Sequence, residues 1–253
     1  MTTVPYTSTQ ADLEFHSVIM MEHCVFLHLG IEEEPYKTQA YEQYQRWKQF
    51  IDEGYNGDVA TLLLNLRILK TTILTSLLEG KWLGWLSASF VRHILEELEE
   101  FALLLQGRKF APEVMVVHSW RLMTDHLEDA VSKTDPMETE VKHQSQQLLQ
   151  STPTAIHQLA NRDYNVDRLL VDYQEASLAL AQEQGQPAND IQWMIGLTLR
   201  AGVQIDALLA SIQTHQPKTV IHPMLLDHWR REGHHHSQEL EIALQELRLP
   251  TSN

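Results

Sequence analysis

Histidine and acidic side chains recur at helical spacing in the stretch HWRREGHHHS, residues 228–237. Residues four apart on an α-helix lie on one face, so His228 and Glu232 present an imidazole and a carboxylate to the same point. Glu232 and His235 add the Glu-x-x-His spacing of carboxylate-bridged di-iron bundles. Imidazole with carboxylate, and no thiolate, is a set of ligands that suits Fe, Mn or Zn. The stretch therefore indicates half of a metal site.

The His-x-x-x-Glu spacing occurs earlier in the chain as well, at His93 and Glu97. When the segment SASFVRHILEELEEFALLL is set over HPMLLDHWRREGHHHSQEL, these two residues fall on His228 and Glu232. The two segments have diverged at most other polar positions. A shared chemical role is the simplest explanation for the His-x-x-x-Glu spacing that both segments retain.

A second pair of segments aligns in the same way. Setting FHSVIMMEHCVFL over HSWRLMTDHLEDA places His23 on His126, and an acid, Glu22 or Asp125, precedes each histidine. Each half would then run as four helices, with the acid-His pair on the first and the His-x-x-x-Glu pair on the last. The chain is thus predicted to be a tandem duplication with repeats at residues 1–108 and 109–253, joined at QGRKFAP, and with an extra helix near residues 163–184.

Six residues are predicted to be metal ligands because they occupy matched positions in the two halves: His23, His93, Glu97, His126, His228 and Glu232. Adjacent residues on a helix point about 100° apart, so both members of an acid-His pair seldom reach one ion. The second choices are therefore Glu22, Asp125, His118 and His235. His234 and His236 are predicted to point to other faces and to be solvated. Cys24 is excluded because Leu127 takes its place in the second half.

Helical periodicity dominates the rest of the chain. In residues 58–80, apolar side chains recur at three- and four-residue steps after Asp58, a candidate N-cap, and before Gly80. The same pattern predicts helices at residues 9–29, 36–53, 84–106, 112–131, 136–150, 164–184, 189–214 and 221–247, and no strand. The predicted fold is all-α, built of two four-helix up-and-down bundles.

The composition and charge of the chain limit the classes of partner that it can bind. The formal charge of −15, from 34 acidic and 19 basic residues, disfavours nucleic acid and anionic membranes and provides carboxylates for cations. No run approaches about 18 uninterrupted apolar residues, and the first residues lack a signal-peptide pattern. A single cysteine fits a reducing compartment. The protein is predicted to be cytoplasmic, without a nucleic-acid or membrane partner, and self-association is left open.

With these residues in view, the chain resembles the duplicated ferritin-like metalloproteins typified in Bacillus species, a family of unknown function called Bacillus cereus metalloprotein-like. The resemblance is carried by Met21-Glu22-His23 with Gly30, by Asp125-His126 with Asp135-Pro136, and by the closing His228-Trp-Arg-Arg-Glu232 segment. It implies two tandem ferritin-like bundles with metal, iron above all, bound between the repeats. The chain departs from the family in Thr124, in Asp125 for Glu, at Arg92-His93 and in the insert near residues 151–187.

The expected function is metal binding by a helical protein that holds two divalent ions, with iron first and Mn or Zn as alternatives. Redox-active iron with bridging carboxylates would give access to oxygen or peroxide chemistry. A Zn or Mn hydrolase is a second hypothesis. The third is an interaction protein that uses its acidic helical surface and in which the metal is purely structural. An open coordination position on the metal would favour the two enzyme hypotheses over a purely structural metal.

Overall fold

The protein is predominantly helical, as the periodicity predicts. A computed structural model describes residues 3–133, 143–144, 146–148, 150, 152–154, 158, 169–185, 190–215 and 223–248. These residues divide into two compact units, one of Thr3–Lys109 and one that begins at Phe110. That the two units are repeats of one ferritin-like bundle stays a prediction.

The first unit contains four long helices, α1 (Gln10–Gly30), α2 (Tyr36–Asp52), α3 (Val59–Leu78) and α4 (Ala88–Leu105). Helices α1 and α3 each pack on both α2 and α4, so that the four helices close into a ring. Apolar side chains such as Leu27, Leu66 and Ile94 fill its interior and are fully buried. Because α1 packs on α4, residues of the first and last helices can meet inside this unit.

The ends of these helices are set by local hydrogen bonds. Asp58 caps α3 by accepting a bond from the backbone N–H of Thr61, as predicted from the sequence. Helix α4 begins at Ala88, after the Ser87 cap, and not at residue 84 as predicted. Its start is delayed because Gly84 forms an antiparallel bridge with Ile31, which holds the preceding segment extended.

Two short strands were not predicted from the sequence. Strand β1 (Thr3–Pro5) pairs with β2 (Arg108–Phe110), and each is three residues long. Three residues are too few to show a period-two pattern of burial, so alternation carried no signal here. The prediction of no strand was therefore wrong at these two places.

The second unit contains the described helices α5 (Pro112–Lys133), α6 (Leu169–Gln184), α7 (Ile191–His215) and α8 (Pro223–Arg248). Helix α5 packs on the other three, and α7 packs on α8. Helix α6 lies where the extra helix is predicted. The helix predicted at residues 136–150 falls largely outside the described residues, so it stays a prediction.

Within the part of the chain that the structure describes, two helices, α3 and α7, are long and apolar enough to cross a membrane by length and composition. Only a third of each apolar window is buried inside the structure. The core helices of soluble proteins pass the same test. The absence of a membrane partner stays a prediction.

Gly84 allows a test of the joint that precedes α4. Its φ of 142° is unfavourable for other residues, and a Cβ there would lie 2.1 Å from the carbonyl oxygen of Gly30. We expect Gly84→Ala to lower the free energy of unfolding by about 3 kcal/mol or more, measured by urea denaturation. Gly80→Ala is the control, since Gly80 has a φ of 80° and open space around it. It should cost about 1 kcal/mol, and equal losses would contradict the assigned contact.

Candidate metal centre

The first unit brings three of the predicted ligands together. His23 lies on α1, His93 and Glu97 lie on α4, and all three are buried. The Nε2 atom of His23 is 3.0 Å from Glu97 Oε2, and the Nε2 atom of His93 is 3.5 Å from the same oxygen. Two imidazoles therefore face one carboxylate oxygen in the interior. We call this group the first half-site.

The second unit repeats the arrangement. His126 lies on α5, His228 and Glu232 lie on α8, and all three are buried. The Nε2 atom of His228 is 2.6 Å from Glu232 Oε1, while that of His126 is 3.8 Å from Glu232 Oε2. The two imidazoles here face different oxygens of the carboxylate. We call this group the second half-site.

Helix geometry explains why each half-site forms. In both units the His-x-x-x-Glu pair begins five residues after the start of its helix, at Ala88 for His93 and at Pro223 for His228. The four-residue spacing puts both side chains on one face. The third residue comes from the first helix of its unit, which packs on that face. Ring contacts add support, since His126 stacks on Trp229 with centroids 4.7 Å apart.

The histidine run is placed differently from the prediction. His236 is buried, with its ring centroid 5.0 Å from that of His118, whereas the sequence predicted a solvated side chain. His235 is half-buried, and His234 is exposed as predicted. The reason is the helical repeat. His228, Glu232 and His236 follow one another at four-residue steps along one face, whereas His235 points about 100° away from His236. A strict four-residue step from His228 would have identified His236.

The remaining second choices lie outside the two half-sites or beside them. Glu22 and Asp125 are half-buried on the positions next to His23 and His126. His118 is buried beside His236 and Phe110. Their role as ligands stays a prediction.

A buried lysine was missed by the sequence analysis. Lys70 on α3 is fully buried, and its Nζ lies 3.0 Å from Nδ1 of His23. It also donates a hydrogen bond to the backbone carbonyl of Ile94. The signal was present, because Lys70 interrupts the apolar face formed by Leu66, Leu69 and Ile73. A charged residue on the buried face of a helix needs a specific partner.

The acidic run EELEE at residues 96–100 contains further buried carboxylates. Glu96 and Glu100 are each 3% exposed, as is Glu97, whereas Glu99 on the outer face pairs with Arg67. Buried carboxylates are unfavourable without compensating partners. The buried side of α4 therefore carries carboxylates among its apolar side chains.

Each half-site fits a divalent metal by the chemistry of its side chains. In each half-site two imidazole nitrogens lie within 3.8 Å of oxygens of the same carboxylate group. Each of the six residues also belongs to a buried group of histidines and glutamates that could hold an ion. Nitrogen and oxygen ligands of this kind suit Fe, Mn and Zn. The structure thus contains buried His/Glu clusters able to hold a divalent metal.

Comparisons with known proteins identify one similar sequence and one similar structure. No family model matches the chain. An uncharacterized protein of Acanthamoeba polyphaga mimivirus is 24% identical over an alignment that covers 88% of this chain and 77% of that protein. The crystal structure of an uncharacterized protein from Bacillus cereus superposes with a TM-score of 0.74 at 15% identity, covering 97% of this chain and 94% of the other. The fold is therefore shared with an uncharacterized protein of known structure.

Cys24 follows His23 directly and allows a test of the interior beside the first half-site. Burial raises the pKa of its thiol to about 12, although the nearby Lys70 partly lowers it. Because the thiolate is the reactive form, we expect no reaction with a thiol reagent such as 5,5′-dithiobis(2-nitrobenzoate) at pH 8 in the native protein. One thiol should react per chain after unfolding in guanidinium. Rapid reaction without denaturant would contradict the burial of this face of α1.

Proposed function

We propose that the protein binds divalent metal at the two half-sites, with iron as the leading candidate and Mn or Zn as alternatives. The observation that carries the proposal is the repetition of one arrangement. In each unit a buried histidine of the first helix faces a buried His-x-x-x-Glu pair of the last helix. A single cluster of this kind could be a satisfied core network. Its occurrence at matched positions of both units favours a shared chemical role.

Electrostatics supports the proposal. A buried carboxylate loses its hydration, and two neutral imidazoles restore only part of that loss. A divalent cation coordinated by all three groups would compensate the negative charge directly. The chain as a whole carries a formal charge of −15, which also draws cations towards it.

We further propose that the two units are ferritin-like repeats of a metalloprotein, as the sequence resemblance implies. Support comes from the ring of four helices in the first unit and from the like placement of the ligands. In such a protein each half-site residue has a simple role. The histidines would bind the metal as neutral imidazoles. Glu97 and Glu232 would bind it as carboxylates, which can also take up a proton. Iron held in this way supplies oxygen or peroxide chemistry.

A small cavity favours an accessible metal over a purely structural one. It has a volume of about 30 Å³ in the second unit, and its lining includes His126, Trp229 and His236. About 10–15 Å³ of such volume admits one water molecule. Water can thus lie beside the predicted ligand His126, whereas structural metal sites are closed by protein groups.

Metal content tests the proposal directly. We expect protein purified without a tag and reconstituted with Fe²⁺ under anaerobic conditions to bind about two ions per chain, one for each half-site. His93→Ala and His228→Ala should each lower metal content, because each removes one imidazole. His143→Ala is the control, since His143 is exposed and its ring forms a hydrogen bond with the side chain of Gln147.

Equal metal content in the wild type and both ligand variants would refute the proposed ligands. If the ions are held independently, each variant keeps one of them. Loss of both ions from either variant would indicate a single dinuclear centre, as the resemblance implies. A wild type with no more metal than a buffer blank would refute metal binding altogether.

Thermal stability should depend on metal and on pH together. Metal binds neutral imidazole and ionised carboxylate, so it lowers the pKa of these groups below their values in the unfolded chain. Groups with a lowered pKa stabilise the folded protein above their unfolded pKa and lose this contribution as pH falls. Because histidine in the unfolded chain titrates at about pH 6.5, the difference in Tm with and without chelator should be largest at pH 7.5. It should narrow steadily towards pH 4.5, and a constant difference would contradict the proposed ligands.

A further inference from the structure

The cavity of about 30 Å³ in the second unit is lined by side chains of α5, α7 and α8. On α5 the lining residues Ser119, Met123 and His126 follow one another at steps of four and three residues, so they share one face of the helix. Most of the wall is apolar, as at Leu209 and Leu240. Since about 10–15 Å³ of such volume holds one water molecule, the cavity has room for a molecule of about two heavy atoms.

Two glycines inside helices belong to the cavity wall. Gly202 lies within α7 and Gly233 within α8, where glycine is less favourable than alanine. A Cβ on Gly202 would lie 3.4 Å from Oγ of Ser237 and 3.8 Å from Sδ of Met123, which are ordinary contact distances. A Cβ on Gly233 would meet nothing within 4 Å. Alanine would fit at both positions, so close packing of the helices does not account for the glycines.

Ser119 brings to the cavity wall a polar group that the fold leaves unused. Its side chain is 3% exposed, and its hydroxyl has no hydrogen-bond partner within the described ranges of the chain. A buried hydroxyl is unfavourable in this state, and a bound molecule would relieve it. Thr198, also on the wall, donates its hydroxyl proton to the carbonyl of Met194, so its oxygen can still accept. The wall therefore presents a donor at Ser119 and an acceptor at Thr198.

The charges on the cavity wall favour a neutral occupant. Arg230 and Asp206 both line the cavity, and Nε of Arg230 lies 2.9 Å from Oδ1 of Asp206. The guanidinium also donates a hydrogen bond to Gln213. The two charged side chains are 29% and 32% exposed, so this pair lies nearer the solvent than the buried Ser119. Because the two charges offset each other, they draw neither an anion nor a cation into the cavity.

We infer that this cavity is a binding site for a small neutral molecule that carries an O–H group, such as a short alcohol of the size of methanol. Ser119 donates a hydrogen bond to the oxygen of this molecule, Thr198 accepts one from it, and the apolar wall surrounds the remainder. The site requires no metal ion, so the inference goes beyond the proposed function and stands without it. A molecule bound here also lies beside His126.

Methanol is the probe that tests this site, and the methyl group of Met123 is the reporter. The protein is labelled with ¹³C at its methionine methyl groups and freed of metal with a chelator, and Met123→Leu assigns the resonance. We expect methanol to shift the Met123 resonance in a saturable manner. A ligand with two heavy atoms can gain little free energy, so the dissociation constant should be on the order of 10 mM. The resonance of Met20, on α1 of the first unit, should show no such saturation.

Three variants separate this site from a plain apolar void. Gly202→Ala adds a methyl group to the wall and should weaken methanol binding by about tenfold or more. Gly196→Ala is the matched control, because Gly196 lies on the same helix outside the cavity lining and a Cβ there also fits, 3.5 Å from Arg200. It should leave the affinity unchanged. Ser119→Ala should weaken methanol binding by about fivefold, whereas xenon, which forms no hydrogen bonds, should bind as in the wild type.

Three results would overturn the inference. A wild type without a saturable shift at Met123 would mean that the cavity holds water only. Unchanged methanol affinity in Gly202→Ala, folded by circular dichroism, would place the methanol elsewhere. Unchanged methanol affinity in Ser119→Ala, or an equal loss of methanol and xenon binding, would remove the role of the hydroxyl. All three leave the proposed function intact, because the protein is metal-free, and a protein that binds methanol but no metal would refute the proposed function alone.

Discussion

Burial of a carboxylate between imidazoles is the constraint on which the rest of this structure depends. Glu97 and Glu232 are each almost wholly withdrawn from water, and each meets two histidine side chains. An isolated carboxylate in an apolar interior is unfavourable by many kcal/mol. The helices must therefore bring compensating groups to the same point with an accuracy of a few tenths of an ångström. Apolar packing alone would not require such accuracy.

The fold meets this requirement with few elements. One helix supplies two groups through the four-residue spacing, and a neighbouring helix supplies the third. In the first unit, features away from the half-site fix the start of α4. These are the Ser87 cap and the bridge between Ile31 and Gly84. At that bridge, backbone approaches backbone so closely that a side chain would not fit. The positions of His93 and Glu97 on α4 thus depend on the close packing at this bridge.

What could be predicted from the sequence follows from the range of each interaction. The pairing of His93 with Glu97 depends on local helix geometry, so spacing alone predicts it. The pairing of His23 with the same carboxylate depends on helix packing, and it was accessible because the second half repeats the pattern. Most predicted helix ends lie near the observed ones because capping is also a local interaction, as at Asp58.

The features that escaped prediction depend on tertiary contacts without a repeated pattern. Helix α7 contains no lysine, so comparison of α3 with it could not reveal Lys70. Strands β1 and β2 are paired by residues about a hundred positions apart and are too short to show periodicity. His236 is a different case, because the spacing was there and the neighbouring His235 was preferred for its resemblance to a di-iron motif. The division of the chain into ferritin-like repeats still rests on the sequence.

The position of the ligand pairs along their helices has a kinetic consequence. In α4 and α8 both paired ligands lie in the second and third turns from the helix start. Helix ends open locally at a lower free energy than the body of the protein. One opening of these turns would withdraw two of three ligands at once, and closing would return them together. The residence time of a bound ion would then follow the opening rate of a helix end, so that a change at the Ser87 cap would alter ion exchange without touching a ligand.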